Sequence, residues 1–369
     1  MDAGSLSTRL ANRTIHKICV IKPSALGDVV QSLPLLPVLR QRFPESHISW
    51  VINRELSDLL TGHSCLNELI PFDRRGGVSD WWRLLRQLRN SQFDLVLDLQ
   101  GLLRTGVMSF ATRAPVRIGL QTAREGSHLA CHHLLPDTGI QVPAHRRAWR
   151  VAEELGLGDL QSQTEIAIPE GDRAWAESLR ASLPGPLLVI QPGTRWQTKQ
   201  WPIRHFAEVT RRAIRKMNCS VVVIGSRNES AGAQELVEMV QHVAPHSELR
   251  SLAGQTTLKQ LAALLQQADL VLSNDSGPLH LAAGLGTPVV GIFTCTSPVR
   301  SGPPPSPFHQ LVATQLPCAA SYCKRCPQQG PAHQACFEEL SPDRVWQGVL
   351  AAWSEIQRSP TRGSQIRAA

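Results

Sequence analysis

Two successive series of apolar runs, each run followed by a stretch with helical spacing, constrain this chain more than any other feature. In the first half the runs are Lys17–Ile21, His47–Ile52 and Leu95–Leu99, with helical stretches such as Val29–Arg42 and Asp80–Asn90 between them. In the second half they are Leu187–Gln191, Ser220–Gly225, Leu270–Ser273 and Val289–Phe293, with helical stretches near Ile203–Met217, Gln234–Val243 and Thr257–Gln267. Short apolar runs alternating with helices are the signature of a doubly wound, parallel α/β sheet. Two series predict two such domains, which 369 residues accommodate. The expected organisation is a loose N-terminus over 1–16, a first domain over 17–175, a second over 176–341, a helix over 342–357 and a loose basic tail over 358–369. The last helix, Pro342–Gln357, is expected to pack back across the first domain.

In open α/β sheets, ligands bind at the carboxyl ends of strands. Two facing sheets would enclose a cleft, so the turns that follow strands are where chemistry is sought. Ser273-Asn274-Asp275-Ser276-Gly277-Pro278-Leu279-His280 joins a strand to a helix. Such a turn aims backbone N–H groups and the positive end of a helix dipole at one point, which suits a phosphate or diphosphate. It equally fits an ordinary N-cap, with Asp275 or Ser276 bonding its own helix. Gln191-Pro192-Gly193-Thr194-Arg195 and the following Thr198-Lys199 bring a glycine, two hydroxyls and two cations after one strand, the makings of an anion cradle. Glu229, four residues beyond Gly225, sits where a carboxylate takes ribose hydroxyls. In the first half, Lys22-Pro23-Ser24-Ala25-Leu26-Gly27-Asp28 places Asp28 at a helix start, as a cap or as a general base. Neither G-x-G-x-x-G nor a Walker A sequence occurs, which disfavours redox-nucleotide and P-loop chemistry.

The net charge is +8, and one stretch concentrates it. Between Gly101 and Arg150 there are seven arginines and four histidines against Glu125 and Asp137. This reads as a solvated basic face or as a surface for an anionic partner. Nucleic acid is disfavoured, because 5% aromatic residues and a single tyrosine leave little for base stacking. No apolar run reaches the ~18 residues of a membrane span, and residues 1–16 lack the apolar core of a signal peptide. A cytoplasmic protein with reduced cysteines is expected.

At the turns just described the chain resembles glycosyltransferase family 9, the ADP-heptose:lipopolysaccharide heptosyltransferases. The resemblance rests on Lys22 to Asp28, on Thr194-Arg195 leading to Lys199-Gln200-Trp201-Pro202, and on Asn274 to His280. Asp98-Leu99-Gln100-Gly101-Leu102-Leu103-Arg104 and Thr122-Ala123-Arg124-Glu125 are similar to the type I enzymes, which add the first heptose to Kdo on lipid A. The resemblance implies a GT-B fold, with two Rossmann-like domains facing across a cleft, and an inverting transfer that needs no cofactor or metal. It implies that Asp28 deprotonates the acceptor hydroxyl and that Lys199 neutralises the diphosphate. Thr194 and the Ser276-Gly277 turn would hold phosphate oxygens, Asp275 would orient the donor sugar and Glu229 would meet the donor nucleoside. Arg195 and His280 complete the donor-side set, while Arg104 and Arg124 would meet the acidic lipid A–Kdo head group. Catalysis would require domain closure. The enzyme would work peripherally on the anionic inner face of the cytoplasmic membrane. The competing readings are a transferase using another nucleotide sugar or adding a later core heptose, and a nucleotide-sugar epimerase.

Cys318, Cys323, Cys326 and Cys336 form a C-x4-C-x2-C-x9-C cluster. The spacing admits a structural zinc site, with His333 as a substitute ligand, or else reduced thiols or a labile disulfide. This segment is expected outside the cleft.

Overall fold

The structure is a computed structural model that describes Leu10 and residues 13–156, 164–245 and 247–359. Most of the expected N-terminal segment and tail therefore lies outside the described residues. The chain divides into two compact units, Met1–Ala167 and Ile168–Ala369. The helix Glu170–Ala181, within which the sequence placed the domain boundary, belongs whole to the second unit.

The first unit carries six strands: β1 (Lys17–Ile21), β2 (His47–Asn53), β3 (Glu68–Phe72), β4 (Leu95–Asp98), β5 (Val116–Leu120) and β6 (His133–Leu135). They form one sheet in the order β3-β2-β1-β4-β5-β6, with every pairing parallel. The order reverses between β1 and β4, which makes that pair the switch point. The expected helix Val29–Arg42 is two helices, α1 (Leu26–Ser32) and α2 (Leu35–Arg42), separated at Pro34. Proline supplies no N–H to the preceding turn and its ring crowds it, so the first helix ends there. Helix α3 (Val78–Asn90) buries Leu84 and Leu88 against Cys19, Ile21, Val96 and Phe93. Helix α4 (Leu103–Thr112) follows β4, and α5 (Ala144–Glu154) closes the unit against α1 and α2.

The second unit repeats this plan. Its strands are β7 (Leu187–Gln191), β8 (Ser220–Val223), β9 (Leu249–Ser251), β10 (Leu270–Asn274), β11 (Val289–Phe293) and β12 (His309–Ala313). Their order is β12-β11-β10-β7-β8-β9, again parallel throughout. The switch point lies between β7 and β10. The longer helices are α6 (Glu170–Ala181), α7 (Ile203–Met217), α8 (Ser230–Gln241), α9 (Leu258–Gln267), α10 (Gly277–Gly284) and α11 (Pro342–Arg358). The expectation for α11 is corrected. Its Val345, Trp346, Val349, Ala352, Trp353 and Ile356 belong to the second unit's core, with Phe206, Leu188 and Val290. The helix thus serves the second sheet's face, over β11 and β12 and beside α7. Both units are doubly wound α/β sheets, as the strand–helix alternation predicts.

Candidate functional site

In each unit two of the turns singled out in the sequence emerge at the switch point, and a third follows the neighbouring strand, β5 or β8. In the first unit, β1 runs into residues 22–25 and then α1. The Asp28 carboxylate is exposed in the first turn of α1, where Oδ2 accepts the N–H of Ala25 at 3.1 Å. This is the bond of a helix cap, and it leaves the carboxylate's outer lone pairs open to a second donor. Lys22 is buried, and its Nζ donates to the carbonyl of Leu99 at 3.1 Å, tying the turn after β1 to the turn after β4.

That second turn is built on Asp98. Its Oδ1 accepts the N–H groups of Gln100 and Gly101, each at 3.0 Å, and the carboxyl is buried near the Thr105 hydroxyl. Burial pushes the Asp98 carboxyl above its ordinary range, against the lowering effect of those N–H groups and of Lys22. Gly101 has φ +66°, and a Cβ there would stand 2.9 Å from the Cα of Ala123. Only glycine permits this approach. It brings in the turn after β5, where the N–H of Arg124 donates to Gly101 O at 2.9 Å and Glu125 accepts the N–H of Leu103 at 3.2 Å. Asp28, Arg104 and Arg124 therefore issue from three adjacent, mutually braced strand ends. Arg104 and Arg124 are exposed, and the guanidinium of Arg104 lies 5.4 Å from the Phe72 ring centre.

In the second unit, Asn274 at the end of β10 holds the turn after β7. Its Nδ2 donates to Pro192 O at 2.6 Å, and its Oδ1 accepts the N–H of Trp201 at 3.2 Å. The indole of Trp201 is buried and donates to Leu340 O at 2.7 Å, fixing the entry to α7. Thr194 is buried in this turn and its carbonyl accepts from Gln200, whereas Arg195 is exposed. Lys199 is held twice: Nζ lies 2.6 Å from Asp275 Oδ2 and 4.8 Å from the Trp196 ring centre.

Asp275 is the hub. Its Oδ2 also accepts the hydroxyl of Thr296 at 2.6 Å, and its Oδ1 faces His280 Nε2 at 3.4 Å. Burial drives this carboxyl upward, but the hydrogen bond with His280 and the charge of Lys199 outweigh it and hold Asp275 well below the usual carboxylate range. Ser276 is the N-cap of α10, yet no side chain bonds the helix's first N–H groups; the Ser276 hydroxyl pairs with Ser273 Oγ at 3.0 Å. The N-cap alternative is therefore not realised, and the helix start at Ser276-Gly277 follows directly on Asp275, the partner of Lys199. Glu229 turns back on its own segment, with Oε2 accepting the N–H and the hydroxyl of Ser226, each at 2.7 Å. Its carboxyl covers Gly193, where a Cβ would come within 2.4 Å of it, so Glu229 borders the turn after β7.

Thr296 was missed in the sequence, whereas Thr198, read there as a hydroxyl of the anion cradle, is a brace between loops. Thr296 follows from one rule applied to every strand, since Thr294-Cys295-Thr296 is the turn after β11. The Thr294 hydroxyl donates to Thr198 O at 2.5 Å, and the Thr198 hydroxyl donates to Cys323 O at 2.6 Å. The cysteine-rich segment is tied to the turns of its own unit. Cys323 and the N–H of Tyr322, which donates to Cys295 O at 2.9 Å, stitch it onto the loops that carry Lys199 and Thr296. Cys318, Cys323, Cys326 and Cys336 are unbridged. Burial and the neighbouring Cys318 and Cys326 push the Cys336 thiol up to about 11. Among the described residues, no three His, Cys, Asp or Glu side chains are gathered as metal ligands. Zinc at these cysteines rests on their spacing alone.

Comparison with known proteins agrees with this geometry. The family model "Glycosyltransferase family 9 (heptosyltransferase)" matches residues 81–331. The chain is 30% identical over 290 residues to the lipopolysaccharide core heptosyltransferase OpsX of Haemophilus influenzae, covering 78% of this chain and 81% of that protein. It is 28% identical over 360 residues to lipopolysaccharide heptosyltransferase 1 of Pseudomonas aeruginosa, covering 89% and 96%. Among solved structures, the ADP-heptose LPS heptosyltransferase II of E. coli superposes with a TM-score of 0.72 at 23% identity, covering 92% of this chain and 99% of that one, a likeness of fold. Two Rossmann-like domains of the GT-B class, with the turn motifs at both switch points, place this chain in glycosyltransferase family 9, the heptosyltransferases.

Proposed function

We propose that this heptosyltransferase of lipopolysaccharide core synthesis moves heptose from ADP-heptose to the Kdo of a lipid A acceptor, with inversion at the anomeric carbon. The observation that carries the reading is the Lys199 ammonium, held 2.6 Å from Asp275 beside the uncapped start of α10. A departing nucleoside diphosphate needs positive charge where its β-phosphate oxygen gains negative charge, and a lysine with helix N–H groups supplies it. Asp28 accepts the proton of the attacking Kdo hydroxyl. That oxygen bonds to the anomeric carbon from one face as the bond to ADP breaks on the other. Asp275, with Thr296 and His280 fixing its carboxylate, receives hydroxyls of the donor sugar. Arg104 and Arg124 pair with acceptor phosphate and carboxylate groups. The donor named for the E. coli heptosyltransferase II of like fold is ADP-heptose, and the similarity of residues 98–104 and 122–125 to type I enzymes supports the first heptose step.

A mass-spectrometric transfer assay tests both choices. ADP-heptose and other nucleotide sugars are offered with de-acylated Kdo–lipid A, and with the same acceptor already carrying one heptose. A mass gain of one heptose on the first acceptor, from ADP-heptose only, is expected. Transfer only to the heptosylated acceptor would move the enzyme to a later step. Turnover with a different nucleotide sugar alone would overturn the donor assignment.

A further inference from the structure

Helix α4 is amphipathic in the wrong sense for a helix facing water. Its buried side carries Thr105, Gly106, Met108, Ser109 and Thr112, while Leu103, Val107 and Phe110 are exposed. Those three recur at i, i+4 and i+7, which is one stripe of a helix. The turn at Ser127–Ala130 lies directly alongside. A Cβ on Gly106 would stand 2.9 Å from the Cα of Ser127, so the two backbones touch. From this turn Leu129 projects with 80% of its surface exposed, and Phe110 is 65% exposed. Exposed apolar residues scattered singly need no explanation, but a stripe joined to a neighbouring turn marks a contact surface.

The surroundings of the stripe identify what it contacts. The Arg117 guanidinium is 5.9 Å from the Phe110 ring centre and donates to Ala130 O at 2.7 Å, so it stands between the helix and the turn. Arg113 ends the helix, and Arg124 and His128 flank the turn, all exposed. Glu125 spends its carboxylate on the N–H of Leu103. An apolar wedge rimmed by cations is complementary to an anionic lipid surface, whose headgroups meet the rim while its acyl boundary receives the wedge. A second copy of the same face would set cations against cations.

We propose that the exposed stripe of α4 and the 127–130 turn form the surface by which the protein sits on an anionic membrane. Leu103, Val107, Phe110 and Leu129 enter the interface, and Arg113, Arg117 and His128 meet the headgroups. No helix among the described residues is long and apolar enough to cross a membrane, so this is a surface attachment of the described chain. The inference rests on the lipid-anchored acceptor of the proposed function. Arg104 and Arg124 border the same helix and turn, so an acceptor head group bound there would keep its lipid anchor in the membrane beneath.

Full-length protein is co-sedimented with phosphatidylethanolamine–phosphatidylglycerol vesicles and with phosphatidylcholine vesicles, at low and high salt. Wild type should bind the anionic vesicles, lose part of that binding in high salt as the rim is screened, and keep the rest. Phe110→Ser with Leu129→Ser should lower partitioning about tenfold at both salt levels, because the apolar contribution is insensitive to salt. Arg113→Gln should lower it about fivefold at low salt only. Turnover on the soluble, de-acylated acceptor should be unchanged in every variant, which separates failure of the docking surface from failure of the assigned reaction. The proposal falls if wild type ignores anionic vesicles, or if the double variant partitions like wild type. It also falls if sedimentation equilibrium shows a wild-type dimer that the double variant dissolves, since the stripe would then cover a second copy.

Discussion

Replacing Asp275 by asparagine removes one charge and almost no volume, and the consequences can be worked from its neighbours. The asparagine oxygen can still accept from Thr296 and Lys199, but the ammonium loses its counter-charge at 2.6 Å and is left with a neutral acceptor and the face of Trp196, at 4.8 Å. Removing one partner of a fully buried ion pair costs about 3–5 kcal/mol. The Lys199 side chain is 17% exposed, and the indole returns about 0.5–1 kcal/mol, so a loss of about 2–3 kcal/mol is expected. Urea unfolding at neutral pH measures it. The pH dependence has a definite sign. Asp275 is held below its ordinary value of 3.8, so the unfolded chain binds the proton more readily than the folded one. The stabilisation is fully present above that value and is lost as pH falls through the folded value. The gap between wild type and variant should narrow only in that acidic window. Calorimetry adds a second reading: bare ADP should bind the variant at least as tightly, because Lys199 no longer shares its charge, while turnover of the sugar nucleotide falls. A stability gap under ~0.5 kcal/mol at neutral pH would refute the reasoning, since an ammonium so held cannot lose its counter-ion without cost.

Asp28→Asn should keep the helix cap, because its oxygen can still accept from Ala25, and lose ~10²–10⁴-fold in turnover with ADP binding intact; activity within a few-fold of wild type would leave Asp28 as a cap alone. Arg104→Ala and Arg124→Ala should each raise the acceptor KM about 10- to 100-fold, from ~1.5–3 kcal/mol per charge-assisted contact, at an unchanged donor KM; a rise in donor KM alone would contradict the assignment. Asp98→Asn should match or exceed wild-type stability at neutral pH, because it removes a carboxylate whose charged form burial disfavours. The folded state holds the Asp98 proton more firmly than the unfolded chain, so the aspartate loses stability as pH rises above its ordinary range. Urea midpoints that diverge in the opposite direction with rising pH would show the carboxylate form to be the stabilising one.

The sheet interiors were legible in the sequence and the sheet edges were not. The runs read as strands became β1, β2 and β4 in one unit and β7, β8, β10 and β11 in the other, all buried on both faces. The strands left unread are β5 and all four edges, β3, β6, β9 and β12. An edge strand is covered on fewer sides, so it need not be continuously apolar. Strand β12 is half-buried along its whole length, and β3 contains Pro71, which only an edge tolerates. The site divides the same way. Turns that follow buried strands carry their chemistry in adjacent letters, so Thr194, Lys199 and Asp275 could be picked out. The contact of Thr296 with Asp275, and that of Thr198 with Cys323, join residues 21 and 125 positions apart, and no local pattern encodes them.

Because every pairing in both sheets is parallel, all strand carboxyl ends of a unit lie along one rim, and the helices that follow start there. In the second unit this gathers an uncapped helix start, a lysine and several hydroxyls. An unpaired lysine placed there would be flexible and poorly aimed. Asp275 solves that problem by holding Lys199 in place, and Thr296 and His280 in turn hold Asp275. The same carboxylate works against any bare diphosphate that seeks the lysine. In the proposed reaction a sugar hydroxyl donating to Asp275 offsets that repulsion, so the pair favours a nucleotide that still carries its sugar over the nucleotide left after transfer. The arrangement that orders the lysine thereby also weakens the site's hold on the product.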